Sequence, residues 1–383
     1  MTDSSSNLTT NTGGYVTGSV AVAITSTSVA ASDLNTINGL TLGVVNAAAI
    51  TTLTGALVDV QASYTANTAT TISGLGDEAV TLSDTSSVSA SALNTLDSAT
   101  LGVINAASVT ALSGSLSEVH ASYTANDDGT ISGLGNEAVT ISSSFSSASS
   151  LAAINTGTEG DITLSDTSAA LSGSGTDLQS GFAGTVTPYE GNVTVTSAIS
   201  VTMLKDINDA VSGEIVLNDT SLILFGTSSA LVDAFAGTIT TYTAEVVITD
   251  EPTTSQLATI NDAVSGDIQL NDADGSLSGT ASDLVDAFAG TLTVYEGNVT
   301  VTDAATIAQL TTIDAATTGT LTYTSMTDTS SNLATNTGSY VTGSVDVTVT
   351  STSVTAAHLN TIDGLTSGTV TATAATAITG TAA

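Results

Sequence analysis

Leu204-Lys205-Asp206-Ile207-Asn208-Asp209-Ala210-Val211-Ser212-Gly213-Glu214-Ile215-Val216-Leu217-Asn218-Asp219-Thr220 carries two hydrophobic periods side by side. Leu204, Ile207 and Val211 recur at intervals of three and four, which places them on one face of a short helix. Past Gly213 the period falls to two: Ile215 and Leu217 alternate with Glu214 and Val216, the pattern of a strand with one apolar face. Gly213 is expected at the helix C′ position, where glycine takes a positive φ without strain. Asp219-Thr220 is expected to cap the N-terminus of the next helix, where a carboxylate accepts free N–H groups and favours the helix dipole. Asp84, Asp166, Asp272 and Asp328 stand in equivalent steps.

The same words return along the chain. Ile207-Asn208-Asp209-Ala210 recurs at Ile260 and, as Ile313-Asp314-Ala315-Ala316, at Ile313, a spacing of 53; Phe182, Phe235 and Phe288 keep that spacing. Upstream, Ala62-Ser63-Tyr64-Thr65-Ala66-Asn67 returns at Ala121 to Asn126, a spacing of 59. Residues 1–43 match residues 326–368 at 32 of 43 positions, an offset of 325. The organisation follows: 1–43 begins a super-repeat, 44–160 holds two 59-residue repeats and a connecting coil, 161–343 holds three 53-residue two-coil repeats with flanking half-repeats, and 344–383 begins the next super-repeat. Met1 falls on the internal Met326, so the chain reads as a slice of a longer array. Glycines at 184, 213, 237, 266, 290, 319, 343 and 368 divide each repeat into coils of 24 to 29 residues.

One strand and one short helix cannot bury a face alone, so successive coils must stack. The expected fold is an α/β repeat protein, an elongated solenoid of stacked strand–short-helix coils with a parallel β-sheet. About fourteen coils at about 4.8 Å each would make a rod of about 65–70 Å. Four extra residues in the longer coils, Pro188-Tyr189-Glu190-Gly191 in one of them, read as a bulge or tight turn. Tandem immunoglobulin-like sandwiches are the rival; they need about 100 residues and seven strands per domain, which a 53-residue period with helical stripes disfavours.

Composition narrows the function. The net charge is −35, with 36 acidic residues against one lysine, Lys205. Such a surface repels nucleic acid and anionic membranes, and phosphate chemistry would lack its usual cations. There is no cysteine, hence no disulfide, thiolate nucleophile or zinc-thiolate site. No apolar run approaches the roughly 18 residues that span a bilayer.

The repeats supply their own controls for every unusual residue. Lys205 is matched by Ala258 and Thr311, His120 by Gln61, and His358 by Asp33, so all three read as tolerated surface substitutions. No serine is singled out for a Ser-His-Asp arrangement. The expectation is no enzyme, no catalytic residue and no required cofactor. The metal candidates are calcium ligands, because carboxylate and carbonyl oxygens suit a hard cation: Asp272 and Asp274 in Asn271-Asp272-Ala273-Asp274-Gly275, and Asp127 and Asp128 in Asn126-Asp127-Asp128-Gly129. Neither stretch fits an EF-hand loop.

Val299-Thr300-Val301-Thr302-Asp303, Gln309-Leu310-Thr311-Thr312-Ile313-Asp314 and Thr318-Gly319-Thr320-Leu321-Thr322-Tyr323 resemble the giant Thr/Ser/Ala/Asp-rich tandem-repeat proteins of marine cyanobacteria and other Gram-negative bacteria. The resemblance covers nearly the whole chain and implies an extracellular or cell-surface location. It supplies no catalytic residue. Two functions remain. One is a structural rod, surface layer or filament, with other copies of itself as head-to-tail or fibre neighbours. The other is an adhesin-type module for glycans or surfaces, with calcium as its candidate ion. Phe and Tyr follow the repeats instead of gathering in one patch, which favours core packing and the structural rod.

Overall fold

The structure, a computed structural model, describes residues 1–272 and 274–380. Among them are fourteen helices of 6–13 residues and twenty-seven strands of 2–4 residues. Elements this short are marginal in isolation and depend on their neighbours. Every pairing between named strands is parallel, and no sheet closes on itself. The chain divides into two compact units, Met1–Thr196 with Asp209–Glu214, and Ser197–Asn208 with Ile215–Ala383.

In the first unit, parallel ladders join residues one coil apart. Val29 pairs with Leu53, Leu53 with Val80, Val80 with Ile104 and Ile104 with Ile131. A second ladder runs Val88, Leu112, Val139, Ile162. All of these residues are buried, so each ladder is a column of apolar side chains. The helices stack in the same order: Ser5–Thr10, Ala31–Leu40, Leu57–Thr68, Ala90–Asp97, Leu116–Asp128, Ala148–Gly157 and Gly175–Gly181 each pack on the next. In the second unit Leu224, Val246 and Ile268 form one ladder, and Leu277, Val299 and Leu321 another. The expected helical stripes are in place, with Leu204, Ile207, Leu257, Ile260, Leu310 and Ile313 all fully buried.

Two local expectations are corrected. The coil is richer than one strand and one helix: a second three-residue strand that opens on a buried leucine and ends on a glycine, such as Leu224–Gly226 or Leu277–Gly279, precedes the helix. Asp166 and Asp219 therefore lie in the turn before that strand, and are not N-caps. Asp219 Oδ1 accepts from the Ser221 N–H (3.0 Å) and its hydroxyl (2.6 Å), and Asp166 binds Ser168 in the same way. The N-caps are hydroxyl residues instead, among them Ser115, Thr227, Thr253, Thr280 and Thr306.

Carboxylates do reach helix N-termini, but across the gap between coils. Asp84 accepts from Leu57 N–H (2.8 Å), Asp250 from Ser228 (2.6 Å), Asp303 from Ala281 (2.7 Å) and Asp328 from Ile307 (3.1 Å). In each pair the acceptor belongs to the following coil and the donor opens the preceding helix. Asp250→Ala is expected to lower unfolding free energy by about 1 kcal/mol, the usual size of a lost cap. Asp219→Ala, which breaks only an exposed turn, should cost less than half as much in the same urea titration.

The second correction concerns the glycines. Gly184, Gly237 and Gly290 have φ of 67°, 76° and 74°, in keeping with the expectation. Gly213, Gly266 and Gly319 do not. They are required because a Cβ there would press hard against the carbonyl oxygen of Gly191, Ala244 or Gly297 in the preceding coil.

Candidate functional site

Many of the side-chain hydrogen bonds in this protein join one coil to the next. The helix asparagines lead: Asn35, Asn94 and Asn261 donate to the carbonyls of Asp59 (2.9 Å), Glu118 (2.8 Å) and Asp286 (3.0 Å) on the following helix. Ser63 and Ser122, both fully buried, return hydroxyl donors to Asn35 and Asn94. The threonine of each Thr-x-Gly triplet works the other way. Thr41 donates to the Val20 carbonyl of the coil before (2.6 Å) and accepts from Gly43 N–H (2.9 Å); Thr158, Thr317 and Thr366 repeat the arrangement. Sequence reasoning missed this triplet, although its recurrence at Thr41, Thr100, Thr158, Thr317 and Thr366 was a usable signal.

Two buried carboxyls were also missed. Glu78 and Glu137, 59 residues apart, are 2% and 0% exposed. Each folds back on its own loop, Glu78 accepting from Gly76 and Asp77 N–H, Glu137 from Gly135 (2.8 Å) and Asn136 (3.1 Å). The Tyr123 hydroxyl donates to Glu137, and burial followed by that carboxyl pushes the phenol well above its ordinary range. Tyr64 occupies the matching place with Thr100 and Glu78 close enough to act on its phenol, but its hydroxyl makes no hydrogen bond of good geometry to either.

The aromatic copies pack in the core as expected. Phe182 lies 5.6 Å from Tyr189 between ring centroids, Phe235 6.0 Å from Tyr242, and Phe288 5.9 Å from Tyr295. The tyrosine of the four-residue insertion is thus a fully buried plug. Tyr189 donates to the Ala169 carbonyl (2.5 Å) and Tyr242 to the Leu222 carbonyl, one coil back.

The sequence-selected residues fare differently. Asp127 and Asp128 are the exposed last residues of helix Leu116–Asp128, closed by Gly129 at φ 80°, so they sit on a helix end and not in a loop. Asp272 and Asp274 are exposed and lie together: burial apart, a hydrogen bond from Asp274 and the charges of Asp274 and Glu251 hold the Asp272 carboxyl above its usual range. Glu251 Oε1 accepts from Ser276 N–H (2.8 Å). Lys205 is half-buried on helix Val201–Ala210. His358 Nδ1 is 3.5 Å from Ser330 Oγ, but Ser330 is 5% exposed at the first turn of its helix, closed to a substrate. Among the described residues no three His, Cys, Asp or Glu side chains are gathered at metal-binding distance. Grooves of about 310 Å³ beside Tyr64 and about 240 Å³ beside Phe288 are lined by neither an acid nor a base. Among the described residues no helix is long and apolar enough to cross a membrane.

Comparison with protein-family models, with curated proteins and with solved structures finds no match to this chain.

Proposed function

We propose that this chain is an architectural repeat protein, a stretch of elongated parallel strand–helix solenoid that spans distance and associates with further coils of its own kind. The observation that carries the reading is a matched pair of residues. Leu53 and Ile378 occupy the same place 325 residues apart. Leu53 pairs with Val29 on one side and Val80 on the other, and is 0% exposed. Ile378 pairs with Val354 alone and is 65% exposed. Burial of a coil's apolar residue therefore depends on the coils stacked on either side of it. Stacking of this kind propagates from coil to coil, and a head-to-tail contact that does not close extends into a fibre.

The chemistry elsewhere supports the same reading. Asn, Thr and Asp side chains, which an enzyme would converge on a pocket, are distributed at coil intervals and link neighbours. An adhesin reading has less support, since the Phe–Tyr pairs that could stack on sugars are buried. The extracellular or cell-surface setting belongs to this proposal, resting on the compositional resemblance and the almost complete lack of Lys and Arg.

Electron microscopy at secondary-structure resolution tests it. The expected particle has strand rungs about 4.8 Å apart continuing along its long axis, and sedimentation velocity should show growth as ionic strength rises and screens the charge of −35. Separate bodies without a continuous stack would overturn the reading, and a monomer at every ionic strength would remove the self-association.

A further inference from the structure

Three copies of one turn can be compared directly, because they stand 53 residues apart. The first two are Ser165-Asp166-Thr167-Ser168-Ala169 and Asn218-Asp219-Thr220-Ser221-Leu222; the third is Asn271-Asp272-Ala273-Asp274-Gly275. In the first two, the aspartate is satisfied by the serine two residues on, through N–H and hydroxyl. In the third, that serine is replaced by Asp274, so a donor becomes a second carboxylate. The matching position one coil back changes in the same sense: Ala198 in the second copy is Glu251 in the third. Where the other copies place one carboxylate, this one places three, and no chain cation is on hand to offset them.

Beneath the turn lies a separate anomaly. Tyr189 and Tyr242 send their hydroxyls to the carbonyls of Ala169 and Leu222, the last residues of the turns just quoted. Their copy Tyr295 is equally buried, 0% exposed, and its ring packs on Phe288 in the same way. Yet its hydroxyl has no hydrogen-bond partner. In its copies the hydroxyl reaches the last residue of the turn, the place Gly275 holds here, and after burial the groups acting on it are Glu251, Asp272 and Asp274, which with burial push the phenol up to about 12. A fully buried, unpartnered hydroxyl within the influence of three carboxylates is the one feature of this copy, besides its charge, that its two siblings lack.

We propose that Glu251, Asp272 and Asp274 form a calcium site over the buried hydroxyl of Tyr295. The donor set is all oxygen, with neither sulfur nor imidazole, which suits a hard cation. Exposed side chains on a turn and on a neighbouring coil tolerate the irregular six-to-eight-fold coordination of calcium better than the rigid octahedron of magnesium. Asp272 and Asp274 already lie together, and since the three carboxylates are not gathered at metal-binding distance, the ion draws Glu251 in to the pair. Glu251 Oε1 holds Ser276 N–H, leaving Oε2 for the metal. Water completes the shell, and the Tyr295 hydroxyl donates to a bound water or to a ligating carboxylate. The ion then ties one coil to the next, Glu251 coming from one and Asp272 and Asp274 from the other.

The test uses the full chain, with calcium chloride in titration calorimetry and terbium as a luminescent substitute. The chain has no tryptophan, so tyrosine is the sensitiser, and Tyr295 lies against the site. A single saturable site is expected. Asp274→Ser and Glu251→Ala install the residues found in the second copy, so the fold is kept, and each should weaken calcium about tenfold or more by removing one charged ligand. Asp161→Asn removes one exposed charge from the first unit and should leave binding unchanged. Tyr295→Phe should retain most of the calcium affinity and lose most of the sensitised terbium emission. Many-site, unsaturable binding indifferent to Asp274→Ser would mean diffuse attraction to the acidic surface and would overturn the proposal. Tight binding with terbium emission unaltered in Tyr295→Phe would place the ion elsewhere and overturn it equally.

Discussion

Gly266→Ala is expected to lower the unfolding free energy by about 3 kcal/mol, at the upper end of what an overpacked site costs. The added methyl group would clash with the Ala244 carbonyl, and backbone cannot swing aside as a long side chain can. Either the two coils separate at that point or the ladder joining Val246 to Ile268 shifts its register, and each course breaks parallel hydrogen bonds. The same substitution at Gly364 should have the opposite sign. That glycine lies within helix Ala356–Leu365 with nothing within 4 Å of its Cβ position, so alanine there gains about 0.5–1 kcal/mol of helix propensity. Urea denaturation of both variants measures the contrast. Similar small effects at the two sites would show that the coils are not pressed together as the structure has them.

The coil period, the apolar columns and the helices were legible in the sequence because repetition multiplies a weak signal. Leu204, Ile207 and their copies at 257, 260, 310 and 313 state one helix face three times over. What escaped reading was whatever depends on the next coil. Leu224–Gly226 is a strand by pairing, not by pattern, since three residues, two adjacent apolar ones and a glycine, show no period. Asp250 caps a helix that begins 22 residues earlier, and no local rule looks that far. Asp219 was assigned to a helix because Asp before an apolar stripe is a common N-cap, yet a strand intervenes. Gly213 and Gly184 look alike in sequence, but one meets a backbone from the preceding coil and the other adopts a left-handed conformation. At the acidic turn, Asp272 and Asp274 were visible as a pair, while Glu251 and Tyr295 entered only through the stacking that brings three coils together.

The buried carboxyls give the second large effect. Glu137→Ala should lower stability by about 3 kcal/mol, because it leaves three donors without an acceptor inside the protein: the Tyr123 hydroxyl and the N–H groups of Gly135 and Asn136. Glu78→Ala removes the same two kinds of backbone contact but no phenol bond, as the Tyr64 hydroxyl is unpartnered. It should therefore cost about 1 kcal/mol less, the net worth of one hydrogen bond. The tyrosines extend the comparison. Tyr123→Phe strips a bonded hydroxyl and should cost about 1–2 kcal/mol, whereas Tyr64→Phe deletes a buried hydroxyl that bonds nothing and should be neutral or stabilising. Chemical denaturation of the four single variants decides the matter. Equal losses for Tyr64→Phe and Tyr123→Phe would mean that both phenols are bonded in solution. The difference between the two copies would then come from something other than the Tyr123–Glu137 bond.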